Sequence, residues 1–334
     1  MSWLVIGNPI AGGGRGERGI AALERALRAR GLAVETFLTR NGGDARRRAG
    51  ELAPDVQGIA VVGGDGTINE VLNGLADPSR LLLAQLPLGT ANILAHELRL
   101  PRSAAGVAEA IRRGRVQRMD MGVIAGAGEE GRREKGEGRR ENGDARVSPD
   151  APAPASRLPS PFSPLRAPPP PRRFLLVASA GFDAMVTRDL LEHRRGALGY
   201  KGYVRPILRT LRHYRDPALS VSLDGGPPLP AALAVVSKVR NYGGLLAVTD
   251  RAACDSGHLD VCLFPRVTPR TLARYMWAAW RGRVSALPEV TYRTATRVRL
   301  DAVVPTAVQV DGDYYGTTPV ELTLQPAAVG VVVP

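Results

Sequence analysis

The chain has 334 residues, 44% of them apolar, which is enough for two packed domains. Its formal charge of +13 draws it to polyanions, whether nucleic acid, anionic lipid surfaces or phosphorylated ligands, and almost all of the positive charge is arginine, with lysine only at Lys135, Lys201 and Lys238. With 5% aromatic residues and no readable nucleic-acid motif, a nucleic-acid partner is disfavoured; no apolar run reaches the ~18 residues of a spanning helix, and no signal-peptide pattern opens the chain.

Residues 3–6 predict a buried strand that ends at Gly7-Asn8-Pro9. Ala11-Gly12-Gly13-Gly14-Arg15-Gly16 and a helix pattern to about residue 30 follow. Gly14, Gly16 and Gly19 fit GxGxxG, but a dinucleotide fingerprint places its glycines directly after the strand, and here Asn8-Pro9 and more intervene. Walker A fails, because no Lys-Ser or Lys-Thr follows. An N–H-rich loop or a plain connection remains. Residues 34–39 predict a second strand, and Gly42-Gly43-Asp44 opens an arginine-rich helix.

Residues 59–62 predict a third strand, which Gly63-Gly64-Asp65-Gly66-Thr67 joins to a helix with Ile68, Val71, Leu72 and Leu75 on one face. Glycine N–H groups and a helix N-terminus attract an anion, most often phosphate. A carboxylate there repels phosphate unless a metal or a transferable proton intervenes. Asp65 is therefore a candidate Mg2+ ligand or general base, the alternative being a tight turn capped by Asp65 or Thr67. Residues 81–86 predict a fourth strand, running into Pro87-Leu88-Gly89-Thr90-Ala91-Asn92 and a helix from Ile93. Strands alternating with helices make a parallel α/β sheet, whose ligands bind beyond the carboxyl ends of the strands, where all these glycine clusters lie.

After Pro101 come a helix to about residue 113 and a strand at 117–124. Residues 126–173 are low in complexity, first charged and then proline-rich, and are expected to be disordered, either an inert insertion in a hairpin or a partner-binding tract. They hold ten Arg/Lys and seven Asp/Glu, so +10 of the +13 stays with the rest. Residues 174–180 predict a strand ending in Gly181-Phe182-Asp183-Ala184. Residues 202–216 predict a helix with Val204, Ile207, Leu208 and Leu211 on one face and arginines on the other.

Period-two runs at 219–223, 233–236, 259–264, 298–300, 307–310 and 320–324 predict a second, mostly antiparallel β domain. A helix at 271–283 carries Tyr275, Met276, Trp277 and Trp280 among arginines, which suits a membrane interface and a sheet-packed helix equally. Cys254 and Cys262 form no CxxC pair and read as reduced thiols of a cytoplasmic protein. Asp311-Gly312-Asp313 after a strand reads as a hairpin turn or an acid pair. The four histidines show no metal spacing, and no GxSxG elbow occurs.

Together the Asn8-Pro9 loop, GGDGT-x-NE-x-x-NG (63–74), PLGTAN (87–92), Gly181-Phe182-Asp183-Ala184, Asn241-Tyr242-Gly243-Gly244 and Asp311-Gly312-Asp313 resemble the diacylglycerol kinase catalytic-domain family, in its bacterial lipid-kinase branch related to sphingosine kinases. The resemblance runs along the whole chain apart from 126–173. NAD kinases share the GGDGT loop but lack the PLGTAN partner. The resemblance implies an N-terminal parallel α/β nucleotide-binding domain, residues 1–121 joined by about 320–334. It also implies a C-terminal antiparallel β-sandwich domain for the lipid acceptor, residues 122–319, with ATP between the two.

The implied reaction transfers the ATP γ-phosphoryl group to a lipid hydroxyl, diacylglycerol-like or sphingoid-like, with Mg2+. The implied nucleotide contacts are Asn8, Ala11, Gly12, Gly13, Thr39, Gly64, Asp65, Gly66, Thr67, Ile68, Asn69, Glu70 and Thr90. The implied catalytic acids are Asp65 and Asp313, the latter where the family has Glu. A structural Mg2+ site near an Asp-Gly pair falls on Asp255, with Ser256 where the family has Asp. With no lysine near the loops, arginine or helix ends must supply fixed positive charge there. The expected partners are the lipid substrate and an anionic membrane surface, without nucleic acid and with a homodimer left open. The expected location is cytoplasmic and peripheral to the membrane. A kinase of a soluble hydroxyl acceptor and a non-catalytic nucleotide- or lipid-binding protein are the alternatives.

Overall fold

Alternation along the first strands decides the packing. In β1 (Ser2–Gly7), Leu4 and Ile6 face one side and Trp3 and Val5 the other; in β3 (Val56–Gly63), Ile59 and Val61 oppose Ala60 and Val62. Both faces are apolar, so both must be covered by helices. The computed structural model, which describes residues 2–127, 169–193 and 200–334, meets that demand. With β2 (Ala33–Leu38) and β4 (Leu82–Pro87) these strands form a parallel array in the order β2-β1-β3-β4. A short turn, α1 (Ala11–Gly14), leads into α2 (Gly16–Arg28), which covers one face with α6 (Ala104–Arg113). The other face is covered by α3 (Asp44–Gly50), α4 (Asp65–Gly74) and α5 (Ile93–Glu97).

The second half begins with β5 (Val116–Gly126), β6 (Arg172–Phe174) and β7 (Val177–Ala180), then α7 (Phe182–His193) and α8 (Val204–His213). It continues with β8 (Leu219–Leu223), β9 (Leu229–Ala231), β10 (Leu233–Ser237), the small hairpin β11 (Asn241–Tyr242) and β12 (Leu246–Ala247), and β13 (Leu259–Phe264). Then come α9 (Pro269–Trp280), β14 (Thr291–Ala295), β15 (Arg297–Ala302), β16 (Ala307–Val310), β17 (Asp313–Thr317) and β18 (Val320–Val332). The sheet β14-β13-β10-β7-β16-β17 lies against β5, β6, β8, β15 and β18, with Phe174, Val236, Val261, Leu300, Val308 and Leu322 between them. This is an antiparallel sandwich.

β18 belongs to both halves. Its start pairs antiparallel with β15, and it follows β5 through an irregularity between Gln325 and Val329. Its end then pairs parallel with β4 at Gly330 and Val331. One ten-stranded sheet therefore runs through the described residues.

Two expectations change, and one element was not expected. Arg172 and Arg173 stand in β6, paired with β5, although their composition placed them in a disordered stretch; residues 128–168 of that stretch lie outside the described residues. α7 was not legible. On α8 the expected buried face splits: Ile207 and Leu211 pack inward, while Val204 and Leu208 are exposed. Among the described residues no helix is long and apolar enough to cross a membrane.

Candidate active site

The GDGT and PLGTAN loops form one unit at the carboxyl ends of β3 and β4. Gly64 and Gly89 pack back to back, so close that a side chain on either would overlap the other's backbone. Asn92 adopts φ 48°, and its side chain closes a ring by accepting the Gly89 N–H and donating to the Gly89 carbonyl, both at 2.8 Å. Asp65 supplies the third tie. Its two oxygens accept the N–H groups of Ile93 (2.9 Å) and Leu94 (3.2 Å) at the start of α5. Burial pushes the Asp65 carboxyl up, against the pull of those two N–H groups. Both oxygens of the expected metal ligand or base thus tie the two loops together, each accepting one N–H.

Beside this unit opens a cleft of about 440 Å³. Of the expected nucleotide contacts, Asn8, Thr39, Thr67 and Glu70 line it. Arg40 and Asn41, which the sequence did not single out, line it too, as does Gly42, expected only to open a helix. The cue was present in Asp44, whose carboxylate accepts the Arg40 and Asn41 N–H groups at 2.9 Å each and so fixes that loop. Arg40 answers the question of positive charge, standing where no lysine does. Asn8 accepts the Ile10 N–H at 3.1 Å, and Thr39 donates to the Gly7 carbonyl at 3.3 Å. Gly12, Gly13 and Gly14 all take φ between 62° and 88°, a run of left-handed residues that only glycine adopts without strain.

Ala11, Gly12, Gly13, Gly64, Asp65, Gly66 and Thr90 lie outside the cleft lining, as do Ile68 and Asn69. Ile68 is core, because its place on the apolar face of α4 takes it under the sheet. Asn69 is buried and turned toward the second half. Its amide donates to Asp311 at 2.8 Å and to the Arg173 carbonyl at 3.2 Å. One turn on, Asn73 donates to the Arg173 carbonyl at 3.0 Å and accepts its N–H at 2.8 Å. Arg173 completes the joint by donating to the carbonyls of Leu72, Leu75 and Ala76 at the end of α4, where a cation is favoured.

The two acids of Asp311-Gly312-Asp313 separate sharply. Asp311, at φ 48°, turns inward to accept the N–H groups of Leu175, Leu176 and Val177 as well as the Asn69 amide. Burial still pushes its carboxyl up to about 6. Asp313 is exposed, and Arg172 donates to its Oδ2 at 2.6 Å. The same Arg172 amino group lies 2.7 Å from Asn69 Oδ1. The turn between the acids is held by Gln309, which accepts the Gly312 N–H at 2.9 Å and donates to Ser179 and Asp183. Asp183 also receives the Tyr242 hydroxyl. Gln309 therefore links Asp183, and through it Tyr242, to the turn that carries the two acids.

The structural Mg2+ expected at Asp255 does not fit the residues present. Asp255 is exposed and accepts the Gln117 amide at 2.7 Å. Ser256, its neighbour, contacts the buried ammonium of Lys238 instead, at 2.9 Å. No group of three or more His, Cys, Asp or Glu that could hold a metal occurs among the described residues.

The profile of the diacylglycerol kinase catalytic domain matches residues 2–124, and that of the YegS C-terminal NAD kinase beta sandwich-like domain matches residues 176–333. The chain is 26% identical over 331 residues to a diacylglycerol kinase of Mycobacterium tuberculosis, covering 98% of this chain and 93% of the relative. It is 23% identical over 337 residues to a diacylglycerol kinase of Bacillus subtilis, covering 99% and 95%. The fold is similar to the crystal structure of a diacylglycerol kinase from Bacillus anthracis, with TM-score 0.67, 20% identity and coverage of 100% and 97%. With both profiles in order along the two halves of the fold, the chain belongs to the diacylglycerol kinase catalytic-domain family, in its bacterial lipid-kinase branch.

Proposed function

We propose that the protein is an ATP-dependent lipid kinase that transfers the γ-phosphoryl group to a hydroxyl of a diacylglycerol-like or sphingoid-like lipid. The observation that carries this reading is the Arg172 bridge. One guanidinium joins exposed Asp313 of the second half to Asn69 of α4, the helix whose Thr67 and Glu70 line the cleft. An acceptor-side carboxylate and a nucleotide-side wall are thereby held together.

Phosphoryl transfer asks the protein for positioning and charge more than for covalent chemistry. In this reading the phosphates lie against the start of α4, with Thr67 and Arg40 as donors. Asp313 accepts the proton of the lipid hydroxyl on Oδ1, its Oδ2 being held by Arg172. Glu70 is a carboxylate on the cleft wall that would hold a Mg2+ ion brought with ATP. When bound, the ion neutralises charge on the phosphate oxygens. In this reading Asp65 positions the two loops.

The acceptor is brought from a bilayer. α9 packs Tyr275, Ala278 and Ala279 inward, while Met276, Trp277 and Trp280 are 44%, 60% and 68% exposed. Arg281 lies 5.4 Å over the Trp277 ring. α8 adds exposed Val204 and Leu208 beside Arg205, Arg209 and Arg212. Exposed tryptophan with arginine suits the interface of an anionic bilayer.

The test is phosphoryl transfer from labelled ATP in mixed micelles of diacylglycerol, of a sphingoid base, or of neither, with NAD as a soluble acceptor in parallel. Label in the organic phase that depends on one lipid supports the reading. Label on NAD moves the protein to the soluble-acceptor class, and nucleotide binding without turnover on any acceptor moves it to the non-catalytic one.

A further inference from the structure

Lys238 directly follows β10, and its side chain is 0% exposed. It is one of three lysines among 45 basic residues, in a chain that otherwise uses arginine. Its ammonium donates to Asp120 Oδ2 at 2.9 Å, to Ser256 Oγ at 2.9 Å and to the His258 carbonyl at 2.6 Å. Three N–H donors meet three acceptors, so the group is saturated. Asp120, on β5, carries the other half of the node. Its Oδ1 accepts the Ala327 N–H of β18 at 2.9 Å, and its Oδ2 accepts the Gly257 N–H at 2.7 Å. Four segments from both halves of the fold are gathered around one point charge.

We propose that Lys238 is a built-in cation that takes the place of the family's structural divalent ion, so that this junction holds without metal. The ligand set matches a monovalent cation. A hard divalent ion takes six or more oxygen ligands, commonly with several carboxylates. Here Ser256 offers a neutral hydroxyl where the resemblance implies Asp, and among the described residues Asp120 is the one carboxylate touching the ammonium. Asp120 pairs with the ammonium directly, and buried Asp260 feels it from farther away. A compact ammonium with three rotatable donors fits such a node, whereas the planar five-donor fork of arginine would leave donors unpaired in a buried place. A divalent ion would first have to expel a buried, fully bonded ammonium. The requirement for Mg2+ is thereby confined to the nucleotide.

The inference stands on Lys238, Asp120 and Ser256, apart from the proposed chemistry, so its test reads stability and metal content. The parent protein, purified without chelator, is expected to carry no stoichiometric metal by mass spectrometry and to melt within about 1 °C in Mg2+ and in EDTA. One retained equivalent of metal, or a melting temperature several degrees lower in EDTA, overturns it. Lys238→Met removes one partner of a buried ion pair and is expected to lower the melting temperature by roughly 5–10 °C; an unchanged melting temperature overturns it. The double variant Lys238→Ala/Ser256→Asp vacates the ammonium's space and restores a second carboxylate. It is expected to gain a melting-temperature rise with Mg2+ or Ca2+ that EDTA reverses, and the absence of any metal response overturns the substitution.

Discussion

Asp65 accepts two N–H groups at the start of α5, which partly offset the burial that pushes its carboxyl up. Asp65→Ala leaves both donors unpaired beside the cleft, so stability is expected to fall by about 2 kcal/mol and turnover by more than roughly tenfold, measured together by melting and ATP turnover. Lost turnover at an unchanged melting temperature would return Asp65 to the reaction itself. Asp311 behaves differently with pH, because burial lifts its folded-state carboxyl to about 6, above the ~3.9 of an unfolded aspartate. The stability it contributes is fully present below about pH 4 and is lost as pH rises through about 6, an upper bound of about 3 kcal/mol. Denaturant stability measured from pH 4 to 7 should therefore slope downward more steeply in the parent than in Asp311→Asn. Equal slopes would place the carboxylate's ionisation outside the folding balance.

At the scale of elements, α9 carries its own prediction. Its inward face is spent on Tyr275, Ala278 and Ala279, which leaves Trp277 and Trp280 to solvent. Trp277→Ala/Trp280→Ala should weaken co-sedimentation with anionic vesicles by about tenfold or more, on the order of 1–2 kcal/mol, with the melting temperature little changed. Unaltered vesicle binding would remove α9 from the docking face. The parallel half of the fold was legible because β1, β3 and β4 are apolar runs ended by glycine or proline turns, and because Ile68, Val71, Leu72 and Leu75 declare the inward face of α4. The outward face of α4 was not legible. Asn69 and Asn73 stood out only as motif positions, with Asn69 expected at the nucleotide, and their partners Arg172 and Arg173 end a proline-rich stretch whose composition hides a three-residue strand. Lys238 was equally silent, since no local pattern tells that three acceptors from distant segments surround it. Local periodicity reports burial; it does not report which distant carboxylate or amide a polar group meets.

Across the whole molecule the two halves are held by covalently remote ties: β18 laid beside β4, the asparagine face of α4 on β6, and the Lys238 node between β5 and the loop after β12. These ties set where the β16–β17 turn that carries Asp313 lies relative to α4, whose Thr67 and Glu70 line the cleft. One amino group of Arg172 holds both the Asp313 carboxylate, at 2.6 Å, and Asn69 Oδ1, at 2.7 Å. The central claim is that this acid takes the proton of a lipid hydroxyl while the first half holds ATP. Single-turnover transfer from labelled ATP to lipid, measured for the parent, Asp313→Asn and Asp313→Glu beside nucleotide affinity, tests it most directly. The expected result is a loss of roughly 100-fold or more in rate for Asp313→Asn with ATP affinity retained, and a substantial fraction of the rate kept by Asp313→Glu. An Asp313→Asn variant that transfers phosphate to lipid as fast as the parent would contradict the account and leave Asp313 a turn residue.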